Sequence, residues 1–545
     1  MEIADLITIL GNPLTVMTLL PILGALLLML AHWMANAEMR VTLEKPIRAV
    51  NLALALLMFI LATLIGLEET FGLAWGEYLY QNCQVGEIGT GSCALIGSIG
   101  VSWHVGVDAL SYPMVWLTTL LIPITMIVEW DAKKGAYFHS LILMMEGALI
   151  GVFVSLDLFV FYVFWELTLI PMFFLILMWG GEDRRYAAQK FFIYTFAASV
   201  FMLAGILVMY FNNDASWIGN ITGKSFDFVL MDTQTDFIAS EGLRSVVFLL
   251  MLIGFATKLP SVPVHTWLPD AHVQAPTAGS MLLAGVMLKM GAYGFLRLGV
   301  TLFPDQVIEF QTLLLILGMV SLVYGAVVCL GQLNLKRMVA YSSVSHMGLI
   351  FLGIATLEPL GIAGAIFMMF AHGIISPLLF AVCGSFKHHY HTLEIDSMRG
   401  LAKHSPWMSG HMMVGWMGSL GLPLMAGFVA EVAVLIAFYM AFGWWVLLPA
   451  VTLIVTAAYY LWSMQRTIFE GGRDDHDHPI AKLPSTLHGE SPRDITWHEN
   501  TGMLILGVLA VVYGIYPDFF GMFEMMSDWA SLLVEYRLYP AEVSP

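Results

Sequence analysis

This chain has little charge. Only 12% of its 545 residues are charged, against 59% hydrophobic. A soluble domain carries about 25% charged residues, so a wholly water-facing surface is excluded. Cysteine is scarcer still in absolute number. Cys83, Cys93, Cys329 and Cys383 are the only four, and none forms a C-x-x-C. Iron–sulfur and zinc sites therefore lack their usual ligand spacing, and neither a metal nor a cofactor site is expected in the chain. Met1 is followed by no basic n-region and no A-x-A site, so the first apolar run is expected to stay as a helix. GTGSCA is one residue short of G-x-G-x-x-G and does not sit between a strand and a helix, so it carries no nucleotide site. A net charge of −17 sets the chain against nucleic acid as a partner.

What is present is apolar sequence in lengths that suit a bilayer. Spanning the hydrocarbon core takes about 20 apolar residues. Fourteen windows qualify, near 14–35, 47–67, 111–130, 137–156, 158–180, 189–211, 244–265, 273–301, 310–330, 339–357, 360–385, 408–440, 446–468 and 503–524. No alternating strand pattern competes with them. The expected fold is all-α and polytopic, with about 14 transmembrane helices. Loop charge supports the count. With the N-terminus outside, 17 of the 23 Lys and Arg residues fall in inside loops, 3 in outside segments (Lys224, Arg244, Arg537) and 3 within spans (Lys258, Lys289, Arg297). That is the positive-inside bias, and it places both termini outside. Loop 68–110 then lies outside, where its Cys83 and Cys93 are expected to form a disulfide, two free thiols being the alternative. Loop 469–500 carries Asp474, Asp475, His476, Asp477 and His478. A divalent ion could bind there, but a solvated loop is the plainer expectation.

Four ionisable residues stand inside the apolar windows: Glu166, Lys258, Lys289 and Glu431. Each costs roughly 2.5–3.5 kcal/mol near the bilayer centre on insertion scales. With no redox or nucleotide motif in view, they read as a proton path. FATKLPSVPVHTWLPDAH, residues 255–272, breaks the seventh window with Pro260, Pro263 and Pro269 just after Lys258. Carbonyls freed by the break are expected to solvate the lysine ammonium. SLGLPLMAGFVAEVAVL, residues 419–435, breaks the twelfth window with Gly421, Pro423 and Gly427 before Glu431. Two similar breaks five crossings apart enter from opposite faces. That is the mark of inverted repeats, here spans 4–8 and 9–13. Glu166 is the natural partner for Lys258. Lys289 has no obvious local partner. Glu146, in LMMEGALIG, is a weaker member of the set. His346 in YSSVSHMG and His372 in FAHGIISP lie between Lys289 and Glu431 and are expected to relay protons, and His265 is a further candidate. A lone intramembrane histidine is otherwise a satisfied core residue. Asp108 is expected to cap the outer start of the third span.

FWELTLIPMFFLI, KLPSVPVHTWLPDAHVQAPTAGSMLLAGVMLKMGAYG and MVAYSSVSHMG resemble the antiporter-like membrane subunits of proton-pumping NADH:quinone oxidoreductase, complex I. The likeness covers roughly residues 105–470 and is nearest to the M-type, or chain 4, branch. The L-type branch has a long lateral C-terminal helix and a lysine in its twelfth span, whereas this chain has only about twenty residues after its last window and carries Glu431. The resemblance implies two inverted five-helix repeats with broken helices 7 and 12. The division would be 1–130 (helices 1–3 with the outer loop), 131–301 (first repeat), 302–470 (second repeat) and 471–545 (cytoplasmic loop and helix 14). It further implies a Glu–Lys pair at Glu166 and Lys258, a central lysine at Lys289, a histidine relay at His346 and His372, and an exit glutamate at Glu431. The chain would have no redox centre. NADH, FMN, iron–sulfur clusters and quinone would belong to partner subunits, among them antiporter-like paralogues, in the lipid bilayer of a bacterial or archaeal energy-transducing inner membrane. The competing readings are a subunit of a multi-subunit cation/proton antiporter, or of a related hydrogenase or F420H2-oxidising complex.

Overall fold

A computed structural model describes residues 11–68, 80–83, 93–130, 134–216, 222–234, 237–395, 400–469 and 494–539. The Asp474–His478 cluster lies outside them. Every one of the fourteen apolar windows holds a helix. Eleven stretches among the described residues are long and apolar enough to cross a membrane by length and composition, and Tyr112–Val128 is a shorter apolar helix. One of the eleven, Ala426–Phe469, joins two helices that meet at Gly443–Val446. The protein is a multi-pass, all-α membrane protein.

Several window edges need correcting, among them that of the second window, whose helix starts at Ala37 and not at 47. The last membrane-length helix runs Trp497–Ile515, not 503–524, and a shorter helix follows at Met522–Leu533. The first turn of Trp497–Ile515 is polar because Thr496 and Glu499 form a capping box that satisfies the first orphan amides. The Leu335–Ala355 helix starts earlier than 339, with Asn334 accepting from the Arg337 amide as its N-cap. Lys336, expected in an inside loop, is therefore a helix residue and is buried.

The first broken helix runs Glu241–Lys258, turns, and resumes as Trp267–Gln274. Pro260 and Pro263 remove amide donors and end the helix at Lys258, whereas Pro269 sits in the first turn of the resumed helix. The freed carbonyls do not solvate the lysine as expected. Phe255 O accepts from Leu259 N at 2.8 Å, Ala256 O from Ser261 N at 2.9 Å, and Thr257 O from the Trp267 indole at 3.0 Å. The break satisfies itself, because buried carbonyls take the nearest amide donors. The second broken helix is Pro406–Ser419 followed by Ala426–Phe442. Gly421 and Leu424 adopt positive φ of 74° and 75° in the turn between them. A Cβ at Gly421 would collide with the Glu431 carboxylate, so only glycine lets the break fold against that side chain.

At the centre lie the Thr277–Val300 stretch and the Pro359–Tyr390 helix, whose apolar middle segments are buried within the bundle. Gly285 and Gly373 face each other where they cross. A Cβ at Gly373 would come within 3.0 Å of Gly285 O, so these two glycines set the closeness of the helices. The Ala37–Leu67 stretch is mostly exposed despite its apolar sequence, as a lipid-facing surface requires.

The 68–110 loop contains short strands that the all-helical reading did not include. Residues 80–81 pair antiparallel with 106–107 in the register Tyr80↔Val107 and Gln81↔Gly106. Ala94–Ile96 pairs with Val101–Ser102. Two-residue strands are too short to show a period in sequence. Cys83 and Cys93 are joined by the expected disulfide. Below this lid, His104 Nδ1 lies 2.6 Å from Asp227 Oδ2, both fully buried. Asp157 accepts from Ser102 N at 2.9 Å and caps the helix that begins at Leu158. Burial opposes a charged His104, but the Asp227 charge and hydrogen bond outweigh it and raise its pKa. Burial, with the charge of Asp227, raises Asp157 to about 7. Both groups hold protons more tightly in the folded lid. The Asp157 contribution to stability is lost as pH rises from about 4 to 7, and that of His104 above about 6.5. We expect amides of residues 101–107 and 225–230 to exchange faster with deuterium at pH 8 than at pH 5.5, after correction for intrinsic rates. Equal protection at both values would remove this linkage.

Candidate functional site: a buried row of ionisable side chains

Lys289 sits on Leu288–Gly294, just after a π-helical turn at Leu283–Met287. Its ammonium donates to Ala284 O, five residues earlier. A π-turn shifts carbonyls out of the i−4 ladder, which lets a side chain reach one. Lys289 Nζ also lies 2.7 Å from His372 Nδ1 on the neighbouring central helix. The partner that sequence could not supply is therefore 83 residues away and brought close by the Gly285–Gly373 crossing.

The row continues beyond His372. Its Nε2 lies 3.1 Å from Ser343 Oγ, and its ring centroid lies 5.5 Å from that of His346. His346 Nε2 is 3.0 Å from Ser419 O and 3.9 Å from Glu431 Oε1. Ser419 ends the first segment of the second broken helix, so its carbonyl is one the break sets free. The second break thus does what was expected of the first: it offers a backbone acceptor to a titratable side chain. Ser419 Oγ in turn lies 2.7 Å from Tyr460 OH. Lys289, His372, His346 and Glu431 are each 5% exposed or less. They form one row of groups that each hold or accept a proton. The gaps are within a hydrogen bond or within the reach of one bridging water.

Glu166 and Lys258 face one another, and each feels the other's charge. They are not hydrogen-bonded. Lys258 Nζ and Glu166 Oε1 have no hydrogen-bond partner among the described residues. The ammonium lies 5.4 Å from the centroid of the Trp165 ring, whose face attracts a cation. Tyr162 and Ser199 flank the Glu166 carboxylate. The pair is close enough for each charge to act on the other without a hydrogen bond between them.

Glu146 and His265 stand apart from the row. Glu146 is fully buried on Ala136–Val154, and neither carboxylate oxygen is hydrogen-bonded among the described residues. His265 lies in the first break, edge-on to Tyr324 at 5.0 Å, with both ring nitrogens unpartnered among the described residues. Asp108 does not cap the Tyr112–Val128 helix, whose N-cap is Ser111; it accepts from Ser111 N at 3.0 Å in the preceding turn and pairs with Arg297 at 2.5 Å.

Sequence reading missed two groups. His272 is fully buried, stacked on Phe380 with ring centroids 4.3 Å apart, and lies within electrostatic reach of both Lys289 and Lys336. Lys336 donates to Ala275 O at 2.6 Å. It lines a cavity of about 270 Å³ with Glu129, Lys134, Gln274, Lys387 and Glu499, on the face that loop charge assigns to the inside. His272 was hidden among the prolines of the first break, and Lys336 by a window drawn four residues too late.

Comparison with known proteins agrees with this architecture. Residues 155–457 match the family model described as NADH:quinone oxidoreductase/Mrp antiporter, transmembrane. The chain is 40% identical over 433 residues to F420H2 dehydrogenase subunit M of Methanosarcina mazei, covering 78% of this chain and 83% of that one. It is 42% identical over 425 residues to NADH-quinone oxidoreductase subunit M of Rhodobacter capsulatus, covering 77% and 80%. Among solved structures, it is similar to a chain of respiratory complex I from Thermus thermophilus, with TM-score 0.78, 28% identity and coverage of 95% and 99%. A chain of the Mrp complex from Dietzia sp. shares the fold at TM-score 0.77 and 21% identity. With its broken helices, its central Lys289–His372 contact and these relatives, the chain belongs to the antiporter-like membrane subunits of the NADH:quinone oxidoreductase/Mrp antiporter family, in their subunit M branch.

Proposed function

We propose that this chain is the proton-translocating M-type subunit of a respiratory NADH:quinone oxidoreductase. The observation that carries this reading is the buried row from Lys289 through His372 and His346 to Glu431. Electrons move in partner subunits that hold NADH, FMN, iron–sulfur clusters and quinone. This chain supplies only groups that take and release protons. Protonation of Lys289 displaces a proton through His372 and His346 to Glu431. Glu166 sets whether Lys258 is charged. Fourteen crossings in two inverted five-helix repeats, with both termini outside, give protons entry from the cytoplasmic side and exit outward. Glu146 and His265, which stand apart from that row, are the remaining candidates for proton exchange.

The Methanosarcina relative supports a second reading, in which F420H2 is the electron donor. A cation/proton antiporter without redox chemistry is a third. One measurement separates them. The intact assembly, reconstituted in liposomes, should acidify the side opposite its donor site when given NADH and quinone. Acidification with F420H2 alone selects the second reading. Quinone-independent cation/proton exchange, with no donor oxidation, selects the third.

A further inference from the structure

The inside end of the Pro359–Tyr390 helix carries a cluster that the proton row does not use. His388 Nδ1 lies 3.2 Å from Glu499 Oε1, and His389 Nε2 lies 2.9 Å from Glu499 Oε2. One ligand atom from each of the three residues lies within 4.8 Å of the others. Ligands at about 2.1 Å from a tetrahedral zinc ion stand about 3.4 Å apart, so the two measured contacts are already near that spacing. Glu499 is held in place from other directions. Ser385 Oγ donates to it at 3.0 Å, and Thr496 donates through its amide at 2.9 Å and its hydroxyl at 2.7 Å. Such outer hydrogen bonds orient a ligating carboxylate. The Glu499 side chain is 5% exposed and that of His388 is 60% exposed, so one ligand is fixed while another opens to the aqueous face.

We propose that His388, His389 and Glu499 bind one divalent ion of the zinc class and clamp the last membrane helix to the helix that carries His372. Two imidazoles and one carboxylate, with room for water in the fourth position, favour zinc-like ions over the oxygen-preferring magnesium and calcium. Nearby cations do not close the site. Lys134 is paired with Glu129, and Lys336 is held at Ala275 O. Lys387 also lines the adjoining cavity, and its repulsion lowers affinity. The alternative arrangement is a carboxylate that accepts from two histidines with no ion at all.

The test uses the purified, intact assembly with Zn2+ as the probe, titrated against a chromophoric chelator, for wild type, His388→Gln and His389→Gln. Even outer-sphere changes cost about 10–100-fold in metal affinity, so loss of a direct ligand should weaken one zinc equivalent at least tenfold. Millimolar Mg2+ should not displace that equivalent. Zinc should also slow deuterium exchange in residues 496–502 of wild type and leave both variants unchanged. The same number of tight zinc equivalents in all three proteins, or zinc protection that persists in the variants, would overturn the proposal.

Discussion

Replacing Lys258 by arginine should stop most proton translocation while the assembly stays intact. The arginine keeps the positive charge, so charge pairing with Glu166 and the contact with the Trp165 ring both survive. What it loses is the ability to give up a proton, because a guanidinium stays protonated in proteins. We expect pumping to fall roughly tenfold or more, since about 1.4 kcal/mol on a barrier is a factor of ten. Lys258→Ala should do the same, as should Glu166→Ala and Glu431→Ala. Glu166→Asp should be milder, because a carboxylate remains. The measurement is donor-driven acidification in proteoliposomes, with assembly checked by native gel. Full pumping by Lys258→Arg would sink the titrating-lysine mechanism.

Lys289→Ala should slow quinone reduction itself, and not merely pumping. Lys289 and His372 are 2.7 Å apart in the row, so losing either interrupts it before His346 and Glu431. If the two processes are tightly coupled, a stalled proton step holds the redox cycle. We expect inhibitor-sensitive donor:quinone activity to drop at least about tenfold in Lys289→Ala and in His372→Ala. The double variant should be little worse than either, because residues acting as one unit are not additive. Unchanged inhibitor-sensitive activity in an assembled Lys289→Ala complex would show that this row is not the coupling element. Additive losses would show that Lys289 and His372 act separately.

Hydropathy located the helices because a bilayer demands long apolar stretches, and those stretches are local in sequence. The positions of Glu166, Lys258, Lys289 and Glu431 were equally legible, since a charge within such a stretch is conspicuous wherever the chain later folds. The two breaks followed from proline and glycine, whose effect is confined to the neighbouring turn. The disulfide was legible too, because Cys83 and Cys93 are only ten residues apart on the loop assigned to the outside.

Three-dimensional packing decided the rest. The freed carbonyls of the first break found amide and indole donors, whereas Ser419 O in the second found His346, and nothing in the flanking sequence distinguishes these outcomes. Lys289 met His372 only because two glycines let the central helices touch. Lys336 reached Ala275 O because the end of the resumed first broken helix and the start of the Leu335–Ala355 helix meet beside the cavity. His388 and His389 met Glu499 from more than a hundred residues away. Sequence by itself determined which residues cross the membrane and which of them are charged, because burial in lipid acts on each segment separately. Which of those groups exchange protons was decided by the tertiary structure, because a hydrogen bond depends on a few tenths of an ångström between helices that the chain order leaves far apart.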